Sequence, residues 1–252
     1  MAGSTVKPST RKTSTRKTSL PKSTAQHDKR FPNETSDYRH KRNALLRHEV
    51  ALRRQIEQVA SERRALPLGG KLPEDYVFEE YIEAPPFVAG VAMSELFGKH
   101  KTLIVYSFMF GPDMTHACPS CTSILDALDR NAESIGQRAA LVVIAKSPIG
   151  RVRTFASERG WAKLRLLSSA GNSYNRDYFG EDAAGAQWPT LNVFARRGRA
   201  IHHTWASELL FVPCDPGQDN RHADMIWPLW NALDCTPEGR GTNWYPKLNY
   251  AD

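Results

Sequence analysis

The chain has 252 residues, 40% hydrophobic and 24% charged, with a formal net charge of +7. That length holds one sizeable domain plus extensions, no apolar run approaches the roughly 18 residues of a membrane span, and four cysteines do not make a structural disulfide framework. The charge is local: residues 1–40 carry nine Lys/Arg against three Asp/Glu, which leaves 25 basic and 24 acidic residues beyond them.

In chain order, the first segment is a basic tail, residues 1–42, with the tandem repeat Thr10-Arg-Lys-Thr-Ser14 and Thr15-Arg-Lys-Thr-Ser19. Rich in Ser, Thr, Lys and Pro, it cannot bury enough surface to fold and is expected to be disordered. It lacks the apolar core of a signal peptide and the apolar face of a transit peptide, so a soluble cytoplasmic protein is expected. Only this tail is basic, so nucleic acid is not an expected partner.

Residues 43–66 read as a helix, within an N-terminal helical segment placed at 43–70. Leu45, Leu52, Ile56, Val59 and Leu66 make one apolar seam, and Leu66-Pro67 ends the run. The seam is expected to pack on its own domain, three heptads being marginal for a coiled coil. A homodimer contact is the other use of such a face. The remaining domain is placed at 71–252. Its first part, up to Lys101, is broken by Gly and Pro, with one strand at Tyr76-Val-Phe78 and a helical turn at Ser94–Gly98.

Thr102–Tyr106, continuing to Phe110, has the β-branched and aromatic makeup of a buried strand, and Gly111-Pro112-Asp113 breaks it. A helix follows, opening with Cys118-Pro119-Ser120-Cys121. Ile124, Leu125 and Leu128 form its inward stripe, with Asp126, Asp129 and Arg130 outward. Ala140–Ala145 reads as a buried strand, Arg151–Arg159 as a helix ended by Gly160, and Leu164–Leu167 as a short strand. Strands alternating with helices imply a sheet covered on both faces. Ser168–Gln187 reads as a polar, Gly-rich loop. Trp188-Pro189-Thr190 then opens a strand to Phe194, Arg197-Gly198 turns the chain, and Ala200–Ala206 returns it.

A Cys-x-x-Cys pair after a strand and at a helix start favours thiol–disulfide chemistry. Unpaired N–H groups and the positive end of the helix stabilise a thiolate at Cys118. Cys121, one turn on, can attack a mixed disulfide formed there. Pro119 occupies a first-turn position where its missing donor costs nothing. His116 gives the motif a metal-site look, but zinc usually takes a second ligand pair. Cys214 and Cys235 stand 21 residues apart and form none. No metal and no cofactor are expected. Cys235 reads as a buried small hydrophobe, Cys214 as a thiol in a Pro/Asp/Gly-rich loop.

The run Tyr106–Asp113 followed by Cys118-Pro-Ser-Cys121 is similar to the DUF899 family of thioredoxin-like proteins, generally described as predicted dithiol–disulfide oxidoreductases. Glu62–Pro67, Asp75–Phe78, Leu167–Ser169 and Thr236–Arg240 are supporting matches, so the resemblance covers roughly residues 43–240. It implies an α/β, thioredoxin-like mixed sheet of peroxiredoxin-type order with helices on both faces. It also implies Cys118 as nucleophile, Cys121 as resolving thiol and Pro189 as a cis-proline, flanked by Trp188 and Thr190. The chain departs from the family in having His116-Ala117 before the first cysteine and an expanded Phe211–His222 segment.

The expected activity is disulfide exchange with a protein or small-molecule disulfide, completed by an external reductant. The rival is a peroxidase, because Pro112-x-x-Thr115-x-x-Cys118 falls one residue short of the peroxiredoxin motif, in which a threonine hydroxyl positions peroxide. His116, if protonated beside Cys118, would lower its pKa further. A thioredoxin fold that only binds is the third reading, with Asn172–Tyr178 as a contact surface.

Overall fold

The computed structural model describes residues 26–85 and 87–250. Two units divide between Ala65 and Leu66. The first contributes one long helix, α1 (Ser36–Ala65), which begins seven residues earlier than residue 43. The Thr35 hydroxyl accepts from the Tyr38 N–H at 3.1 Å, Asp37 lies in the first turn, and Arg39 pairs with Glu34. A capping hydroxyl and a first-turn carboxylate are what start a helix, so residues 36–42 are helical and not tail. The repeat at 10–19 lies outside the described residues. Leu45, Leu52 and Ile56 of the seam are exposed.

The second unit is a seven-stranded mixed sheet. Its elements are β1 (Val77–Tyr81), β2 (Val88–Ala92), α2 (Met93–Leu96), β3 (Thr102–Phe108), α3 (Pro119–Ile135), β4 (Ala140–Ala145), α4 (Ile149–Arg159), β5 (Arg165–Ser168), α5 (Tyr174–Asp177), β6 (Leu191–Arg197), β7 (Ala200–Ala206) and α6 (Pro228–Leu233). The strand order is β2-β1-β5-β4-β3-β6-β7. β3, β4 and β5 run parallel at the centre. The hairpins β1–β2 and β6–β7 flank them antiparallel. This is the thioredoxin-like mixed sheet that the resemblance implies.

Alternation in β3 and β4 builds a core on each face. Tyr106, Phe108, Val143 and Ala145 pack with Ile124, Leu125, Val152 and Trp161 beneath α3 and α4. Leu103, Val105, Val142 and Ile144 pack with Tyr76, Phe78, Phe97, Tyr174 and Phe194 on the other side. Gly160 closes α4 at φ +73°, a left-handed cap that glycine adopts without steric cost. β2 is the strand the sequence reading lacked: Val88-Ala-Gly-Val-Ala carries little side chain to reveal a period, and its pairing with β1 creates it. Asp129 is buried, not outward, because its carboxylate accepts from the Lys163 and Leu164 N–H groups at 2.8 and 3.1 Å. The Ser168–Gln187 stretch is likewise built in, since Tyr174 and Asn175 are fully buried.

Candidate active site

β3 delivers the chain to the site, and the turn after it is held in several places. The Cys118 N–H donates to Met109 O at 3.1 Å, folding the loop back on the strand end. From α4, Arg151 Nη1 donates to Gly111 O and Pro112 O at 3.1 and 3.0 Å, and Nη2 to Met114 O and Thr115 O. Its guanidinium also stacks on Phe110, 4.4 Å from the ring centre. One cation thus satisfies the carbonyls of a turn that has no secondary structure to do so.

Cys118 is itself the N-cap of α3, with φ −62° and ψ 122°, and Pro119 follows in the first turn. Its Sγ accepts from the Cys121 N–H at 3.5 Å. Its carbonyl takes both the N–H and the hydroxyl of Thr122, at 3.0 and 2.9 Å. The Cys121 thiol and the Cys121 and Ser120 N–H groups favour the charged sulfur against the cost of burial, lowering the Cys118 pKa from 9.0 to about 6. Cys121 moves the other way. It is completely buried, and burial followed by the neighbouring Cys118 sulfur drives its pKa well above the ordinary value. The Tyr106 hydroxyl is buried without a hydrogen-bond partner among the described residues, and its proximity acts on the Cys121 sulfur in the direction that favours its thiolate. Burial and hydrogen bonding thus push two thiols one helical turn apart in opposite directions.

A cleft of about 240 Å³ opens over the pair. Pro189 forms one wall, and its carbonyl accepts from His222 Nε2 at 3.0 Å. β6 proper starts at Leu191, two residues after the proline. The opposite wall is a C-terminal cap, in which Trp227, Trp230 and Arg240 face the cleft. Trp227 Nε1 donates to Ser123 on α3 at 3.1 Å. Arg240 lies over the Trp230 ring at 5.3 Å and pairs with Asp224 and Asp234. Tyr106, His222 and Arg240 fall in stretches marked from sequence, but none of them, nor Trp227 or Trp230, is given a role there. The expanded Phe211–His222 stretch was the signal for the cap, whereas Tyr106 is indistinguishable in sequence from any buried strand aromatic.

The structure brings Cys118, Cys121 and Pro189 to one cleft and sorts the other candidates elsewhere. Thr115 and His116 are exposed and line a separate groove with Arg151, and His116 is not among the groups that shift Cys118. Pro119 is exposed at the helix start. Thr190 is buried in a polar network with Ser107 and Asn192, at 3.1 and 3.2 Å. Trp188 is partly exposed and lies 6.5 Å from the Phe211 ring. Cys214 and Cys235 are both exposed; Cys235 is thus not a core residue, its thiol donating to Asn231 O at 3.3 Å on the helix surface. Among the described residues no helix is long and apolar enough to cross a membrane.

A family model described as "Bacterial protein of unknown function (DUF899)" matches residues 28–251, well beyond the 43–240 that the motifs marked. No functionally curated protein matches the chain. Similar solved structures include the peroxidoxin BcpB from Mycobacterium tuberculosis, 17% identical with a TM-score of 0.41, covering 67% of this chain and 98% of that one. Another is Mycobacterium tuberculosis AhpC, 14% identical with a TM-score of 0.44, covering 71% and 99%. A third is the reduced 2-Cys peroxiredoxin of Plasmodium vivax, 16% identical with a TM-score of 0.43, covering 66% and 96%.

Proposed function

This chain belongs to DUF899, a bacterial family of unknown function, so its chemistry is read from its own residues, and we propose that it is a thiol–disulfide oxidoreductase with Cys118 as nucleophile and Cys121 as resolving thiol. The observation that carries this reading is geometric: Cys118 caps α3 with its Sγ accepting from the Cys121 N–H at 3.5 Å, and Cys121 lies buried one turn on, both lining one cleft with Pro189. The Cys118 thiolate attacks one sulfur of a substrate disulfide, forming a mixed disulfide and expelling a thiolate. Cys121 then loses its proton, attacks the Cys118 sulfur and releases the second thiolate. The substrate gains two electrons and the protein is left with a Cys118–Cys121 disulfide. An external thiol returns it to the dithiol. Such a cycle belongs to a reducing compartment such as the cytoplasm.

Holding Cys121 protonated keeps it from competing for substrate. The Tyr106 hydroxyl supports its thiolate during the second step. A low pKa also makes Cys118 a good leaving group when its disulfide is reduced. A peroxidase would call for a threonine hydroxyl beside the reacting sulfur, whereas Thr115 is exposed on the separate groove and Arg151 is engaged by loop carbonyls. The test is alkylation of the reduced protein by iodoacetamide as a function of pH, beside the variants Cys118→Ser and Cys121→Ser. The rate at Cys118 should rise about tenfold per pH unit below its pKa and level off above about 6. A Cys121→Ala protein should titrate higher, since it loses the Cys121 thiol, the foremost group favouring the Cys118 thiolate. A Cys118 that titrates like a free thiol, at about 8.5, and forms no disulfide with Cys121 would falsify the assignment. Rapid peroxide consumption that survives loss of Cys121 would instead favour the peroxidase.

A further inference from the structure

The backbone around Pro189 is already engaged. The Trp188 N–H donates to Gly180 O at 2.9 Å, and Trp188 O accepts from the Thr190 N–H at 3.1 Å. Pro189 has no N–H, and its carbonyl is taken by His222. An extended peptide binds a strand edge through main-chain hydrogen bonds, and here neither the Trp188 nor the Thr190 N–H is free to donate, which leaves only the second lone pairs of Trp188 O and Pro189 O. The cap closes the approach from the other side. Trp227, anchored to Ser123, and Leu210 line the same cleft as the two cysteines, so a disulfide reaching Cys118 has to fit against them.

Sharing Asp219, Arg221, Trp230, Arg240 and Tyr245 with a more polar hollow of about 540 Å³, the cleft itself has a volume of about 240 Å³, just below the roughly 300–1,000 Å³ of pockets for drug-sized ligands. Its surface is largely Met109, Ile124, Leu210, Trp227 and Trp230. Both arginines at its rim are matched by carboxylates. Asp224 pairs with Arg221 and Arg240, at 2.7 and 3.1 Å, and Asp219 accepts from the Tyr245 hydroxyl at 3.1 Å. No cation of the lining is left over to recognise a carboxylate. Arg221, at φ +54°, is held in the left-handed region that non-glycine residues rarely adopt, so the rim is fixed by its contacts and not by the intrinsic preference of the backbone.

Resting on the disulfide-exchange reading, we infer that the substrate is a low-molecular-weight, uncharged disulfide with aromatic or aliphatic substituents, and that the cap excludes protein disulfides. One half of such a molecule becomes attached to Cys118 and lies against Trp227 and Trp230. The other half leaves as a thiolate, and Cys121 then displaces the first. Aromatic walls in a desolvated cleft discriminate through apolar contact, and a charged substituent would have to be stripped of water with no counter-ion to receive it.

The test uses the full, reduced chain in single turnovers with three oxidants: dipyridyl disulfide, oxidised glutathione and insulin. Formation of the Cys118–Cys121 disulfide is followed by mass, and each rate is divided by that oxidant's rate with dithiothreitol to cancel intrinsic reactivity. Dipyridyl disulfide should exceed both others by about tenfold or more, the scale on which a pocket discriminates by apolar fit. In a Leu210→Trp variant, which narrows the cleft, that rate should fall while iodoacetamide alkylation of Cys118 changes little. Equal normalised rates for insulin, or a preference for oxidised glutathione, overturn the substrate class while leaving the oxidoreductase intact. Failure of all three to oxidise the pair removes the oxidoreductase reading and the inference with it.

Discussion

At the scale of single residues, the chemistry depends on how differently the fold treats two identical side chains. Cys118 caps a helix and receives hydrogen bonds, whereas Cys121 is sealed beneath it beside Tyr106. Tyr106 makes the sharpest single-atom prediction. Tyr106→Phe removes the hydroxyl that favours a Cys121 thiolate, and a hydrogen bond to a charged group contributes about 1.5–3 kcal/mol. The resolving step should slow by about tenfold or more, seen as accumulation of the Cys118 mixed disulfide in acid-quenched samples. The Cys118 alkylation midpoint should move little. Stability should hold or rise, because a buried hydroxyl without a nitrogen or oxygen partner is lost with no bond broken. A variant that destabilises the protein and leaves resolution unchanged would show Tyr106 to be packing alone.

At the scale of elements, the site is a strand end, a clamped turn and a helix start. Arg151 ties the turn to α4, so Arg151→Met should leave the Pro112, Met114 and Thr115 carbonyls without this donor, while Gly111 O keeps the Ser147 hydroxyl at 2.9 Å. A loss of about 1–3 kcal/mol in urea unfolding is expected, with faster amide exchange confined to that turn; an unchanged midpoint would mean water replaces the guanidinium at no cost. Much of this layout was legible in the residues. β4 and β7 fall where their apolar and aromatic runs put them, and α3 begins where Cys-Pro signals a first turn. The hydrogen-bond partners were not legible. Asp129 looks like a solvated helix carboxylate until the backbone before β5 arrives to be received by it. The same holds for His222, whose partner is the carbonyl of a proline 33 residues upstream. Periodicity records which side of an element faces the core, and it carries no record of which distant segment will dock there.

At the scale of the whole molecule, every residue of the cleft lies between Tyr106 and Tyr245, inside the unit that begins at Leu66. A chain starting at Leu66 should therefore keep the Cys118 midpoint near about 6, checked by the same alkylation series. A midpoint shifted toward the free thiol would mean that α1 contributes to the site. The C-terminal cap has the opposite standing. Although little regular structure marks it beyond α6, it supplies half of the walls, and Arg240 holds it together through Asp224 and Asp234. Arg240→Gln should open the cleft, raising the insulin rate relative to dipyridyl disulfide; unchanged selectivity would show that the aromatic contacts suffice to hold the cap.

The placement of Trp227 and Trp230 in one cleft with Cys118 and Cys121 also gives this protein a built-in optical readout. Indole emission is quenched by a disulfide at short range, and these two rings share a cleft with the bond that would form. Oxidation of the pair should dim the intrinsic fluorescence, and addition of a reductant should restore it in step with the return of free thiols. The redox state would then be followed in real time without a label, with Trp227→Phe identifying the ring that reports it.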